Sequence, residues 1–259
     1  MPVKLFFERY RIQSQQPDLL LLQSIAGGFS HLPYENVTKI LKHAGASQST
    51  AKLRLMDEVL LDHLRWNTGG TCFSLCNALQ NILTASGFNS FIAMADMHYG
   101  RNIHCTVITI LEGRKYLTDP GYLLHDPILL PEEMLETTRL TPMNTVSIKN
   151  EAPDVFSVYT IEGKQRKWRY RLRANQIARE EFESHWIHSF SLNSMEHVTL
   201  SRVDSKGRLY YRKNRLDLVS PSERSKQRIE ESGTETLARC FQIPADLLSL
   251  AHKAVSGRS

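Results

Sequence analysis

The chain has 259 residues, 41% hydrophobic and 23% charged, with a formal net charge of +5. That length holds one large domain or two to three small ones, with core enough to fold without disulfide staples. Apolar runs such as residues 19–22 fall far short of the roughly 18 residues a helical membrane span needs. The mild basic excess suits any polyanion, the phosphates of a nucleotide-containing substrate as well as nucleic acid, and does not choose between them.

At the N-terminus Leu5, Phe6 and Phe7 are apolar, but Glu8, Arg9 and Arg11 interrupt them before the core of a signal peptide can form. Pro17 and Asp18 then open a predicted helix carrying Leu19, Leu22, Ile25, Ala26 and Phe29. A loop with Pro33, Tyr34, Glu35 and Asn36 follows. Residues 57–64 are predicted helical, with Leu60, Leu61 and Leu64 on one side. Gly69 and Gly70 break the chain, after which Cys72, Leu75, Cys76, Leu79 and Leu83 mark one helix face.

The character changes in the middle third. Residues 91–95, 104–111, 115–117 and 157–161 are β-branched or aromatic runs between turn residues, and Glu112-Gly113 reads as a hairpin turn. Residues 127–138 read as a loop with a short helix. In 164–173, Lys167, Arg169, Arg171 and Arg173 alternate with Trp168, Tyr170 and Leu172. This is a half-buried strand with a charged outer face rather than a nucleic-acid patch. Residues 197–202 and 208–212 read as strands joined by a turn at 204–207, and residues 230–241 as a helix with Leu237 and Phe241. No internal repeat is present. Four cysteines, at 72, 76, 105 and 240, without a secretory signal imply free thiols in a reducing, cytoplasmic setting.

The chemistry concentrates at Gly69-Gly70-Thr71-Cys72. Glycines permit a sharp turn and close approach of a substrate. A cysteine opening a helix meets the positive end of the dipole and free N–H groups, which favour a thiolate and can hold an oxyanion. A cysteine nucleophile also needs a base, and the base an orienting group. His104 leads into one apolar strand, and Asp119 follows the next. If 112–113 is the hairpin, the two strands are antiparallel and these side chains share one end. His98 is a rival base, set aside because it does not lead into the strand. Cys72, Cys76 and His104 lack a clear fourth ligand for a structural zinc, so no metal is expected. Cys76 reads as a buried cysteine ahead of a resolving thiol.

In this order the residues resemble the arylamine N-acetyltransferases. That family carries Arg/Lys-Gly-Gly-x-Cys-x-Glu, a strand beginning with a catalytic histidine, and a strand ending in Asp-Val-Gly-Phe. The counterparts here are Thr68-Gly69-Gly70-Thr71-Cys72-Phe73-Ser74, His104 with Val107 and Ile108, and Asp119-Pro120-Gly121-Tyr122. Pro33-Tyr34-Glu35-Asn36 matches an earlier Pro-Phe-Glu-Asn signature. The resemblance implies an α+β fold with a helical bundle (1–84) bearing the nucleophile, a β-barrel (85–185) bearing His and Asp, and an α/β lid (186–259). It implies a Cys72–His104–Asp119 triad, with Arg11 and Glu35 bracing the site. It further implies that Gly121 and Tyr122 lie where the family places coenzyme A, and the N–H groups of Cys72 and Cys105 are expected to form the oxyanion hole. The implied reaction is ping-pong transfer of acetyl from acetyl-CoA, a substrate rather than a tightly bound cofactor. The acceptor is an arylamine, hydrazine or N-hydroxyarylamine, and the protein a monomer or homodimer without nucleic-acid or membrane partners. Thr68, Ser74, Cys76 and Pro120 depart from the family pattern. They keep open an amide synthase or acyltransferase with another thioester donor, or a binding protein on the same fold.

Overall fold

The computed structural model describes residues 1–46, 48, 50–124, 126–142, 144–204, 207–220, 223–230 and 233–257. Helices α1 (Pro2–Tyr10), α2 (Leu19–Phe29), α3 (Val37–Gly45), α4 (Met56–Trp66) and α5 (Cys72–Ala85) come first, with the short strand β1 (Tyr34–Glu35) between α2 and α3. Asp18 starts α2 by accepting the Leu21 N–H at 2.7 Å. Leu22, Ile25, Ala26 and Phe29 are buried as expected, whereas Leu19 is partly exposed and Leu21 takes its place inside. In α4 the buried face is Val59, Leu60 and His63, so Leu61, expected on that side, points to solvent.

Eight antiparallel strands then build a barrel-like sheet in the order β5-β4-β3-β2-β9-β8-β7-β6. They are β2 (Asn89–Met97), β3 (Gly100–Leu111), β4 (Arg114–Thr118), β5 (Ile128–Leu129), β6 (Glu136–Leu140), β7 (Thr145–Ala152), β8 (Val155–Glu162) and β9 (Gln165–Arg173). The β3–β4 turn is the predicted one, with Glu112 and Gly113 both at positive φ (51° and 75°), the geometry of a tight two-residue hairpin. The half-buried strand at 164–173 forms too: Tyr170 and Leu172 are buried, and the basic residues lie on the outer side. The short helix expected within 127–138 does not form. Leu129 and Ile128 pair with Tyr116 and Leu117, and Glu136 to Leu140 pair with β7. Strand partners, which a local reading does not see, satisfy the backbone there.

After α6 (Arg179–His188) come β10 (Thr199–Asp204), β11 (Gly207–Arg212), β12 (Arg215–Val219) and β13 (Arg224–Arg228). They form a second antiparallel sheet in the order β1-β10-β11-β12-β13. Helices α7 (Thr234–Phe241) and α8 (Ala245–Ser256) complete an α+β fold. The expected turn at 204–207 includes 205 and 206, and the expected helix at 230–241 includes 231 and 232, which lie outside the described residues. One apolar core runs from Phe6 and the α2–α5 helices through Cys105 and Val107 to Trp186, Phe241 and Ala251, and a second fills the barrel-like sheet. Asn36 ties the first helices to the second sheet. Its Oδ1 accepts the Thr199 N–H at 2.7 Å, and its side-chain N–H groups donate to Ser194 and His197 carbonyls at 2.8 Å. Among the described residues no helix is long and apolar enough to cross a membrane.

Candidate active site

Cys72 is the first residue of α5, after Thr71 at the helix N-cap. At that position its N–H has no partner within the helix. The approach to it is held from several sides. Gly70 bridges Tyr34 in parallel, and the Glu35 N–H donates to the Gly70 carbonyl at 2.9 Å. A Cβ on Gly69 would sit 2.0 Å from the Pro33 carbonyl oxygen, so only glycine passes there. Glu35 is fully buried and accepts from the Thr38 N–H (2.9 Å) and hydroxyl (2.5 Å). Arg54, also buried, donates to the Thr38 hydroxyl at 2.6 Å, the Gly69 carbonyl at 2.8 Å and Asp62 at 2.7 Å, and lies 3.9 Å from Glu35.

Arg11, expected to brace this site, does not. It is exposed and closes α1 in a left-handed conformation. The basic partner of Glu35 is Arg54, and the neighbour of Arg11, Tyr10, bonds His63, whose Nδ1 meets the Thr68 carbonyl at 2.9 Å. An arginine between Leu53 and Leu55, four residues from Glu58 and eight from Asp62, was the sequence signal for this brace.

His104 and Asp119 arrive from β3 and from the residue after β4, which are paired up to Val107 and Thr118. Both are buried, and His104 Nε2 lies 2.8 Å from Asp119 Oδ2. A carboxylate only accepts, so Nε2–H donates and Nδ1 is the ring nitrogen left for Cys72. The other Asp119 oxygen accepts the Tyr122 N–H at 2.9 Å. Gly121 seals the group: a Cβ there would lie 2.6 Å from Cys72 Cβ and 3.1 Å from His104 Cε1. Tyr170 packs 4.8 Å from the His104 ring and 5.7 Å from Tyr122. The rival His98 is exposed in the turn between β2 and β3.

The electrostatics favour an ion pair. A hydrogen bond from the Cys105 thiol, then the hydrogen bond and charge of His104, outweigh burial and hold the Cys72 thiol well below its ordinary pKa. Burial opposes a charge on His104, but Asp119 and Cys72 together raise it well above the usual imidazole range. Burial and its thiol neighbours push Cys105 well above the ordinary thiol, so it stays a donor. Cys76 Sγ donates to the Cys105 carbonyl at 3.2 Å, and burial raises its pKa. All four cysteines are free. Such an arrangement supplies a thiolate, a cation able to return a proton, and an unspent helix N–H where an oxyanion can form.

A profile of the N-acetyltransferase family matches residues 18–248. The chain belongs to the arylamine N-acetyltransferase family. Arylamine N-acetyltransferase 2 of Macaca mulatta is 23% identical over 194 residues, 70% of this chain and 58% of that protein. The chain thus matches less than two thirds of that curated relative's length. Among solved structures, the arylamine N-acetyltransferase of Mycobacterium abscessus superposes with a TM-score of 0.80 at 15% identity, covering 99% of this chain and 95% of that one. The Salmonella typhimurium enzyme gives 0.78 at 15% identity, covering 98% of each chain. The Bacillus cereus member, described as having a unique Cys-His-Glu catalytic triad, gives 0.74 at 15% identity over 93% of this chain and 98% of that one. These likenesses carry the fold. Lys39, Arg54 and Tyr170 are the site neighbours that the sequence motifs do not mark, and Cys105, expected there only for its backbone N–H, also brings its thiol.

Proposed function

We propose that this family member transfers an acetyl group from acetyl-CoA to an arylamine, hydrazine or N-hydroxyarylamine by a ping-pong mechanism. The observation that carries the reading is the buried His104–Asp119 contact of 2.8 Å facing a cysteine at a helix N-terminus. In the first half-reaction the Cys72 thiolate attacks the thioester carbonyl. The oxyanion forms at the Cys72 N–H, and we assign the Cys105 N–H as second donor. Collapse of that intermediate expels the coenzyme A thiolate, which takes a proton from the His104 imidazolium. In the second half-reaction the amine attacks acetyl-Cys72, neutral His104 takes the amine proton, and the Cys72 thiolate leaves. Asp119 holds the imidazole tautomer and stabilises its cation throughout. Gly121 and Tyr122, at the face of Cys72 and His104, are assigned to the donor side. The free thiols suit a reducing, cytoplasmic setting.

Intact-protein mass spectrometry tests the donor. Acetyl-CoA alone is expected to add one acetyl mass, mapped to Cys72, that an arylamine then discharges. Thr68, Ser74 and Pro120, which depart from the family motif, support a second reading with another acyl thioester donor, as in an amide synthase. An adduct formed only from a longer or carrier-bound thioester would favour it. No adduct from any thioester would reject both in favour of a binding protein.

A further inference from the structure

We propose that Lys39 is a positioning residue for Cys72, a buried ammonium that serves together with His104 as the fixed counter-charge of the thiolate. The inference rests on Cys72 being the nucleophile and names a group that the family motifs do not contain.

Lysine is almost never buried unless paired, yet Lys39 on α3 is only 6% exposed. Its Nζ donates to the Ser189 carbonyl at 2.9 Å and the Ser189 hydroxyl at 2.7 Å, and lies 4.5 Å from the centre of the Phe190 ring. All three partners are neutral. Among the described residues no carboxylate lies within 4.0 Å of this ammonium, although surface lysines such as Lys42 and Lys115 have one. Removing a charge from water without a counter-ion is costly, so the anion that compensates Lys39 must come from elsewhere.

The packing indicates where. Ser189 and Phe190 directly follow α6, and Phe182 and Trp186 of α6 pack 5.6 and 6.4 Å from the ring of Phe73, the residue after Cys72. The tether therefore fixes the ammonium to the segment that directly follows the helix packed on the first turn of α5. His43, one turn along α3, tilts against the same Phe190 ring. Among the described residues, the groups whose negative charge would hold the Lys39 pKa up are Cys72 and Cys105. Cys105 remains a neutral thiol, which leaves the Cys72 thiolate as the anion. Burial lowers the Lys39 pKa to about 8, against the pull of Cys72 and Cys105, so the ammonium still predominates at neutral pH. Lys39 touches no reacting atom. It acts through the charge state of Cys72.

The test is the pH dependence of Cys72 alkylation by iodoacetamide, read by peptide mass mapping, in Lys39→Gln, Lys39→Met and Lys39→Arg. Glutamine keeps donors for Ser189, methionine suits burial, and neither carries charge. The alkylation limb is expected to move up by about one pH unit in a folded neutral variant, the lower end of what an adjacent opposite charge produces. Lys39→Arg should restore the limb. A neutral variant that keeps its circular dichroism and the original limb overturns the proposal. So does loss of folding in both neutral variants, which would make the residue purely structural. Alkylation reads the ionisation of Cys72 without any acyl donor, so failure of acetyl-CoA to load the protein would count against the proposed function and leave this result separate.

Discussion

Gly121→Ala isolates the demand for geometry from the demand for any functional group. The added methyl would sit 2.6 Å from Cys72 Cβ and 3.1 Å from both Cys72 Cα and His104 Cε1. Carbon atoms pack at about 3.5–4.0 Å, so the nearest contact is about 1 Å too short. Cys72 belongs to a buried helix and His104 to a paired strand, and neither is a flexible side-chain tip that can swing away. Relief must come by parting the chain at residue 121 from both, which displaces the reacting atoms by a similar distance. A misplacement of about 1 Å costs on the order of 10²-fold in rate, while overpacking of this kind costs stability about 1–3 kcal/mol. Single-turnover acetylation of Cys72 should therefore fall about 10²-fold in a protein that still melts cooperatively. A rate within a few-fold of the parent, with the fold intact, would refute the reasoning, because the contact at residue 121 would then not set the distance between Cys72 and His104.

Cys72→Ser should abolish acyl transfer without unfolding the protein, since a serine hydroxyl is scarcely ionised at neutral pH; retained turnover would remove Cys72 from its role. Asp119→Asn should slow both half-reactions, by less than the roughly 10⁴-fold of a serine triad because a thiolate is already a good nucleophile. Asparagine offers one acceptor oxygen where Asp119 uses one for His104 and one for the Tyr122 N–H. An unchanged rate would reduce Asp119 to a turn residue. Cys105→Ala removes the largest influence that lowers the Cys72 pKa. The thiolate exists above that depressed pKa and is lost as pH falls through it, so the alkylation limb should move to higher pH; an unmoved limb would show that Cys105 does not sustain the thiolate.

Much of this protein is legible locally. Gly-Gly before a cysteine that begins an amphipathic run specifies a tight turn into a helix, and the structure places Cys72 at its first residue. Glu112-Gly113 specifies a two-residue hairpin, and that hairpin brings His104, inside β3, and Asp119 to the same end of the β3–β4 pairing. These features depend on backbone conformations that few residues adopt, and on alternation within a few positions, so nearby residues suffice to determine them. What only the tertiary structure decided are interactions between residues far apart in the chain. Lys39 meets Ser189 across 150 positions, and Arg54, rather than Arg11, pairs with Glu35 because the segment leading into α4 and the 33–36 loop converge on Gly69. Strands β5 and β6 exist because β4 and β7 offer them partners. The charge state of Cys72 depends on Cys105 and His104 from a strand some thirty residues away. A buried charge or an edge strand is stable only through its partners, and which partners arrive is a property of the folded chain as a whole.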